Sequence, residues 1–227
     1  MRTPLTTIDG YVEGMLDGVF EPTEEVLSAI GEESARLGRL AADLGALSRA
    51  DEGALELRPE PTDLADLTRS VARRLEPQFA EKGVALDLQL DQSLPVDVDP
   101  QRIAQVVTNL LGNALTYTPA AGRVTVEARR TPDSVRVAVT DTGVGLAPDE
   151  LDRVFDRFYR VPGLTRPTGG SGIGLTIARS LARGHDGDVE ARSEGRGHGS
   201  TFELRLPLRS AAVAPSDQTG RARPSNV

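Results

Sequence analysis

Two successive helical segments near the amino terminus carry apolar stripes that one copy of the chain cannot bury. Apolar residues recur at helical spacing from Ile8 to Val19 and again from Val26 to Leu47, with a turn at Glu21-Pro22-Thr23 between them. A two-helix hairpin leaves both stripes without a partner, and four helices from two copies are a common solution. We therefore expect residues 1–53 to form an antiparallel helical hairpin that becomes a four-helix bundle on dimerisation.

From about Leu55 the pattern changes to alternating helices and strands, which places a domain boundary there and a second domain over residues 54–208. This domain is predicted to be α+β, a two-layer sandwich in which a mixed sheet carries helices on one face. The remaining residues, 209–227, are polar and aperiodic, and we expect a disordered tail. The predicted helices span residues 64–75, 100–115 and 173–182, and the predicted strands span residues 84–90, 124–126, 135–139, 188–191 and 201–206.

Composition excludes several classes of function. The 227 residues include 26 basic and 34 acidic side chains, and the net charge of −8 argues against a general nucleic-acid or anionic-membrane binder. There is no cysteine, so disulfides, thiolate catalysis and cysteine-bound zinc are excluded. No run approaches the roughly 18 apolar residues that a membrane helix needs, and no signal-peptide pattern opens the sequence.

Two glycine-rich segments are candidates for ligand binding. Asp141–Leu146 follows an apolar strand, where its glycines let backbone approach a flat ligand and Asp141 can accept hydrogen bonds, although such a loop is equally typical of a plain turn. Gly169–Leu175 opens a helix whose free amides could hold phosphate oxygens. It lacks the lysine of a P-loop and the preceding strand of a dinucleotide fingerprint.

An asparagine pair is the third candidate. Asn109 and Asn113 lie four residues apart on one face of an apolar helix, so their amides need partners. A hydrogen bond from the helix to a loop would satisfy them, and so would a divalent ion such as magnesium, which takes oxygen ligands.

These three elements, in this order, closely resemble the catalytic domain of bacterial sensor histidine kinases. Arg2–Thr6 is similar to the second part of that family's H box, and Gly199–Leu204 looks like its last glycine–threonine motif. The family's N, G1, F and G2 boxes match Asn109–Tyr117, Asp141–Leu146, Phe155–Tyr159 and Gly170–Leu175.

The resemblance implies an ATP-binding sandwich of the gyrase and MutL kind, with ATP and Mg²⁺ held between the N-box helix and a lid of residues 155–172. It implies that Asp141 accepts the adenine amino group and that Asn113 and Asn109 hold the magnesium. The full set of cofactor-binding residues that it implies is Asn109, Asn113, Tyr117, Asp141, Gly143, Gly145, Arg160, Gly170, Gly172, Gly174, Leu175 and Thr201.

One position departs from the family pattern. Thr116 stands where relatives carry a basic residue that contacts phosphate, and the lid-region residues Arg157, Arg160 or Arg166 could supply that cation instead. The lid itself is expected to be anchored in the core by Phe155 and Phe158.

Only the second part of the H box is matched within this sequence. The phosphoacceptor histidine would lie just before Met1, so no catalytic histidine is expected within these residues, and Thr3 is a candidate for assisting regulator dephosphorylation. The two histidines of the sequence, His185 and His198, lie in a loop and in a glycine-rich turn, where solvent-exposed or loop-stabilising roles are expected.

The implied function is ATP-dependent phosphorylation of a histidine, followed by transfer to an aspartate of a response-regulator receiver domain. The chain is expected to act as a homodimer through residues 1–53, in the cytoplasm or as the cytoplasmic part of an inner-membrane sensor. Two alternatives stay open. An anti-sigma-type serine kinase would use the same ATP fold but would not need the hairpin, and a non-catalytic ATP-binding, dimerising remnant would agree with the missing histidine.

Overall fold

The amino-terminal segment is the expected helical hairpin. A computed structural model describes residues 4–51, 56–161 and 172–208. Helix α1 spans Pro4–Leu16 and helix α2 spans Glu24–Asp51, and the two helices contact each other. The Thr23 hydroxyl accepts a hydrogen bond from the backbone N–H of Val26 (3.3 Å), and two glutamates follow Thr23 in the first turn of α2, where they favour the positive end of the helix dipole.

The second domain alternates helices with short and long strands. In chain order it contains β1 (Glu60–Asp63), α3 (Leu64–Lys82), β2 (Ala85–Leu90), β3 (Pro95–Val98), α4 (Pro100–Tyr117), β4 (Arg123–Arg130), β5 (Ser134–Asp141), two 3₁₀ turns (Pro148–Glu150 and Arg153–Phe155), α5 (Gly174–Gly184), β6 (Asp188–Arg192) and β7 (Ser200–Pro207). The predicted helices and strands of this domain are all present, whereas β1 and β3 were not predicted.

Five of the strands form one mixed sheet in the order β2-β4-β5-β7-β6. Only β2 and β4 pair in parallel, and the other neighbours are antiparallel. Alternate residues of the central strands are buried, and α3, α4 and α5 contact the sheet. The α+β sandwich prediction is therefore confirmed. Strands β1 and β3 pair separately with each other.

Aspartates fix the starts of two helices. The Asp63 carboxylate accepts from the N–H groups of Ala65 (2.9 Å) and Asp66 (3.3 Å) at the start of α3. Asp99 does the same at the start of α4, accepting from Gln101 and Arg102, both at 3.1 Å. These bonds satisfy backbone donors that have no partner inside the helix.

His185 is buried, with 4% of its surface exposed, and it links two helices. Its Nε2 accepts from the backbone N–H of Asp99 (3.0 Å), and its Nδ1 lies 2.8 Å from the Leu181 carbonyl, so the ring is neutral with its proton on Nδ1. The sequence left open a solvent-exposed or a loop-stabilising role, and the structure excludes exposure for His185. His198 is exposed.

No helix in the described part of the chain is long and apolar enough to cross a membrane. The predicted tail over residues 209–227 lies outside the described residues, as does Thr3.

Candidate nucleotide site

Asp141 is a buried carboxylate at the end of β5. Only 3% of its surface is exposed, and each oxygen has a donor: Gly143 N–H to Oδ1 (2.8 Å) and the Ser200 hydroxyl to Oδ2 (2.6 Å). Burial raises the pKa of Asp141 above its ordinary value of 3.8, and the hydrogen bonds from Ser200 and Gly143 oppose that rise. The result is a rigidly oriented hydrogen-bond acceptor.

Ser200, rather than Thr201, reaches this carboxylate. Strands β5 and β7 pair antiparallel, with Asp141 opposite Ser200 and Thr140 opposite Thr201. Neighbouring residues of a strand point to opposite faces, so the Thr201 hydroxyl lies 2.9 Å from that of Thr140 instead. Ser200 is therefore the residue of this motif whose side chain contacts Asp141, and the binding role of Thr201 stays a prediction.

The G1 loop, residues 141–146, runs close to other backbone on two sides. Val144 N–H donates to the Tyr117 carbonyl at the end of α4 (3.3 Å). On the other side, Gly145 has a φ of +65°, and a Cβ there would lie 2.0 Å from the Gly195 carbonyl oxygen. Only glycine fits, as expected of a loop whose backbone is closely approached.

The two asparagines of α4 differ in their contacts. Asn109 Nδ2 donates to the Gly174 carbonyl at the start of α5 (2.9 Å), which is the helix-to-loop bond left open by the sequence. Asn113 is half-buried, and its side chain makes no hydrogen bond to another described residue. Asn113 is therefore the member of the pair better placed to accept an external ligand.

The end of α4 carries no free basic side chain among the described residues. The Thr116 hydroxyl donates to the Gly112 carbonyl (2.7 Å), within its own helix. Lys82, the only lysine of the chain, caps the helix end by donating to the carbonyls of Leu115 (2.5 Å) and Thr116 (3.0 Å). Arg157 and Arg160 are both exposed, whereas Arg166 lies outside the described residues.

Phe155 anchors the F box as expected, but Phe158 does not. Phe155 is buried against Phe202 (ring centroids 6.3 Å apart), and the Arg179 guanidinium lies 4.5 Å from its ring centroid. Phe158 is 62% exposed and has a φ of +62°, so the prediction that it is a core residue is wrong. The 3₁₀ turn ends at Phe155, so the two rings do not share one helical face.

The structure describes the G2 segment only from Gly172 onward, so Gly170 lies outside the described residues. Gly172 accepts a hydrogen bond from Phe158 N–H at its carbonyl (3.1 Å), which joins the F box to the start of α5. Helix α5 begins at Gly174, with Leu175 half-buried behind it, and has no side-chain cap. The positive end of its dipole would favour an anion at this position.

Comparison with known proteins places these features in one family. Residues 1–53 match the His Kinase A (phospho-acceptor) domain, and residues 98–210 match the histidine kinase-, DNA gyrase B- and HSP90-like ATPase domain. The signal transduction histidine-protein kinase BaeS of Escherichia coli is 35% identical over 92% of this chain and 44% of its own length.

The chain belongs to the sensor histidine kinases.

Two solved structures of histidine kinases share its fold. Acinetobacter baumannii AdeS aligns with a TM-score of 0.79 and 26% identity, covering 92% of this chain and 97% of that one. Full-length ShkA in complex with AMPPNP aligns with a TM-score of 0.71 and 31% identity, covering 93% of this chain and 44% of that one. This sensor histidine kinase chain spans less than half the length of curated relatives such as BaeS.

Sequence reasoning missed two polar residues of this kinase domain. Ser200 carried no signal beyond its place in the last glycine–threonine motif, and only the pairing of β7 with β5 shows that it faces Asp141. Ser193 is the second, and its hydroxyl contacts the loop that follows Asp141.

Proposed function

We propose that this chain binds ATP with Mg²⁺ between α4, the G1 loop and the start of α5. The observation that carries the proposal is the buried Asp141 carboxylate, whose orientation is fixed by Gly143 and Ser200. A fixed acceptor of this kind suits the adenine amino group, which donates hydrogen bonds. Gly143, Gly145 and Tyr117 would form the surrounding wall.

The phosphates would lie at the amino-terminal end of α5, near Gly172, Gly174 and Leu175. Uncapped amides and the helix dipole favour negative charge at this position. Gly170 and Arg160 would contribute from the lid side, where Arg160 could replace the positive charge that Thr116 lacks.

Magnesium would be held chiefly by the amide oxygen of Asn113, with Asn109 beside it, and it would neutralise phosphate charge. No group of three histidine or acidic side chains within residues 4–51, 56–161 and 172–208 could hold a metal ion. Magnesium takes oxygen ligands and keeps several waters at a nucleotide, so an amide oxygen, phosphate oxygens and water would suit it here. Asn109 cannot take a proton from water, so the site suits phosphoryl transfer to a stronger nucleophile rather than hydrolysis.

The nucleophile proposed here is a histidine of the H box, with later transfer to an aspartate of a receiver domain. The hairpin of residues 1–53 would dimerise and present the histidine, and residues 54–208 would bind the nucleotide. Within residues 1–227 the only histidines are His185 and His198. His185 is buried with both ring nitrogens occupied, so it cannot receive a phosphoryl group in this fold.

The binding proposal is tested by calorimetry with ATP and Mg²⁺. Asp141→Ala should weaken binding by about 1–3 kcal/mol, because the adenine amino group loses its buried partner. Unchanged affinity in this variant would remove Asp141 from the adenine site.

The transfer proposal is tested with radiolabelled ATP. The 227-residue chain should incorporate no label, whereas a version extended upstream to include the H-box histidine should become labelled. Acid-labile, base-stable label on the 227 residues alone would show that another histidine serves. Label that survives acid would favour the serine kinase alternative, and an extended version that binds ATP without labelling would favour the non-catalytic one.

A further inference from the structure

The connection between β6 and β7, residues 193–199, packs against the G1 loop by backbone contacts. Gly197 N–H donates to the Val144 carbonyl (2.8 Å), and Gly199 N–H donates to the Gly143 carbonyl (3.1 Å). The connection therefore forms a second layer behind the loop that follows Asp141.

Gly199 shows how closely these two layers approach. Its φ is +70°, and a Cβ at this position would lie 1.9 Å from the carbonyl oxygen of Asp141. Since Gly199 directly precedes Ser200, any shift of this backbone would move the hydroxyl that orients the Asp141 carboxylate.

The Ser193 hydroxyl joins the two layers. It donates to the Gly199 carbonyl (2.6 Å), and it accepts from the backbone N–H groups of Leu146 (3.0 Å) and Gly195 (3.2 Å). A serine hydroxyl has one proton and two lone pairs, so its capacity is fully used. One side chain thus connects Leu146, the last residue of the G1 loop, to the residue before Ser200.

An ion pair supports the same contact further along the chain. Arg196, in the middle of the connection, pairs with the buried carboxylate of Glu150. Glu150 also accepts from Ala147 N–H (2.8 Å), just after the G1 loop. The connection therefore contacts the G1 loop at Gly143, Val144 and Leu146, and Arg196 holds the segment that follows the loop at Glu150.

We propose that Ser193 is a positioning residue for recognition of the nucleotide base. It keeps the G1 loop and Ser200 at a fixed separation, and so holds the Asp141 carboxylate in the one orientation that selects adenine. This inference rests on the proposed ATP site. A fixed carboxylate accepts from the amino group of adenine, whereas it faces the carbonyl oxygen of guanine, which is also an acceptor.

The test measures the affinity of the 227-residue chain for ATP and for GTP, each with Mg²⁺. Ser193→Ala should weaken ATP binding by roughly tenfold or more and lower the ATP-to-GTP affinity ratio, because Leu146 N–H and the Gly199 carbonyl lose their partner. Ser193→Thr keeps the hydroxyl and should restore the ratio.

Ser134→Ala is the matched control. Ser134 is fully buried at the opposite end of β5, where its hydroxyl contacts Thr131 (2.6 Å) and Asp133 (3.1 Å). Its loss should lower the melting temperature while leaving the affinity ratio unchanged.

A Ser193→Ala variant that is less stable but keeps the wild-type ATP affinity and affinity ratio would overturn the inference. If Ser193→Ala does not fold, Ser193→Cys, which keeps the size but donates weakly, is measured in the same way, and an unchanged ratio in this variant also overturns it. Failure of the wild-type chain to bind ATP would instead overturn the proposed function, so the two failures are distinguishable.

Discussion

The hairpin of residues 4–51 exposes six large apolar side chains in its described part, whereas across the described residues 56–208 only Leu88 and Phe158 do so. The nucleotide domain has one continuous core that runs from Leu64 to Leu206. Among the hairpin side chains that the structure describes, none is buried. The domain can therefore be stable by itself, whereas the proposed dimer would bury apolar side chains that the hairpin alone leaves exposed.

The largest effect expected from this difference concerns unfolding. Leu110 on α4 is fully buried, so Leu110→Ala should lower the free energy of unfolding of the nucleotide domain by about 2–5 kcal/mol. Leu27→Ala, at an exposed position on α2, should leave the same transition within about 0.5 kcal/mol of wild type. Denaturant unfolding followed by circular dichroism measures both. Equal shifts in the two variants would mean that the hairpin and the domain unfold as one unit.

A smaller effect is expected on dimerisation. Val12 lies on the apolar stripe of α1 and is 39% exposed, so Val12→Asp should weaken the dimer by about 1–3 kcal/mol, because a charge would enter a buried seam. Asp9→Asn, at an exposed position one turn earlier, is the control and should leave the dimer intact. Analytical ultracentrifugation measures both, and nucleotide affinity should not change in either. A wild-type chain that is monomeric at micromolar concentration would contradict the four-helix hypothesis.

Periodicity predicted the main helices and the five-stranded sheet because both are amphipathic over many residues. Strands β1 and β3 were missed since each has four residues and contains a proline, Pro61 and Pro95 respectively, which weakens the strand signal. The wrong prediction for Phe158 has a similar origin, because apolar character alone does not show where a 3₁₀ turn ends.

In the candidate site, the motifs predicted the loop that carries Asp141, including its partner Gly143, but not Ser200, which holds the other carboxylate oxygen. Ser200 is 59 residues away in sequence, and its role depends on the register of β7 against β5. His185 and Asp99 are 86 residues apart, so nothing local in the sequence indicates their hydrogen bond. Contacts of this kind depend on how strands and helices pack in the folded chain. Local sequence patterns therefore do not predict which side chains make them.

The smallest expected effect is the dependence of stability on pH that Asp141 causes, which can be measured separately from ATP binding. Burial raises the pKa of Asp141 in the folded chain above 3.8. The folded state then holds a proton more tightly than the unfolded state, so Asp141 stabilises the fold below pH 3.8, and this contribution is lost as pH rises through the raised pKa. An Asp141→Asn variant keeps an acceptor for Gly143 N–H and a partner for Ser200 but carries no charge to bury. At neutral pH the variant should therefore be more stable than wild type while binding ATP more weakly, and its stability advantage should shrink as the pH falls. Thermal unfolding of both chains, from neutral pH down to pH 3.8, measures the difference directly. A stability advantage that does not change with pH would show that the buried charge is not its cause.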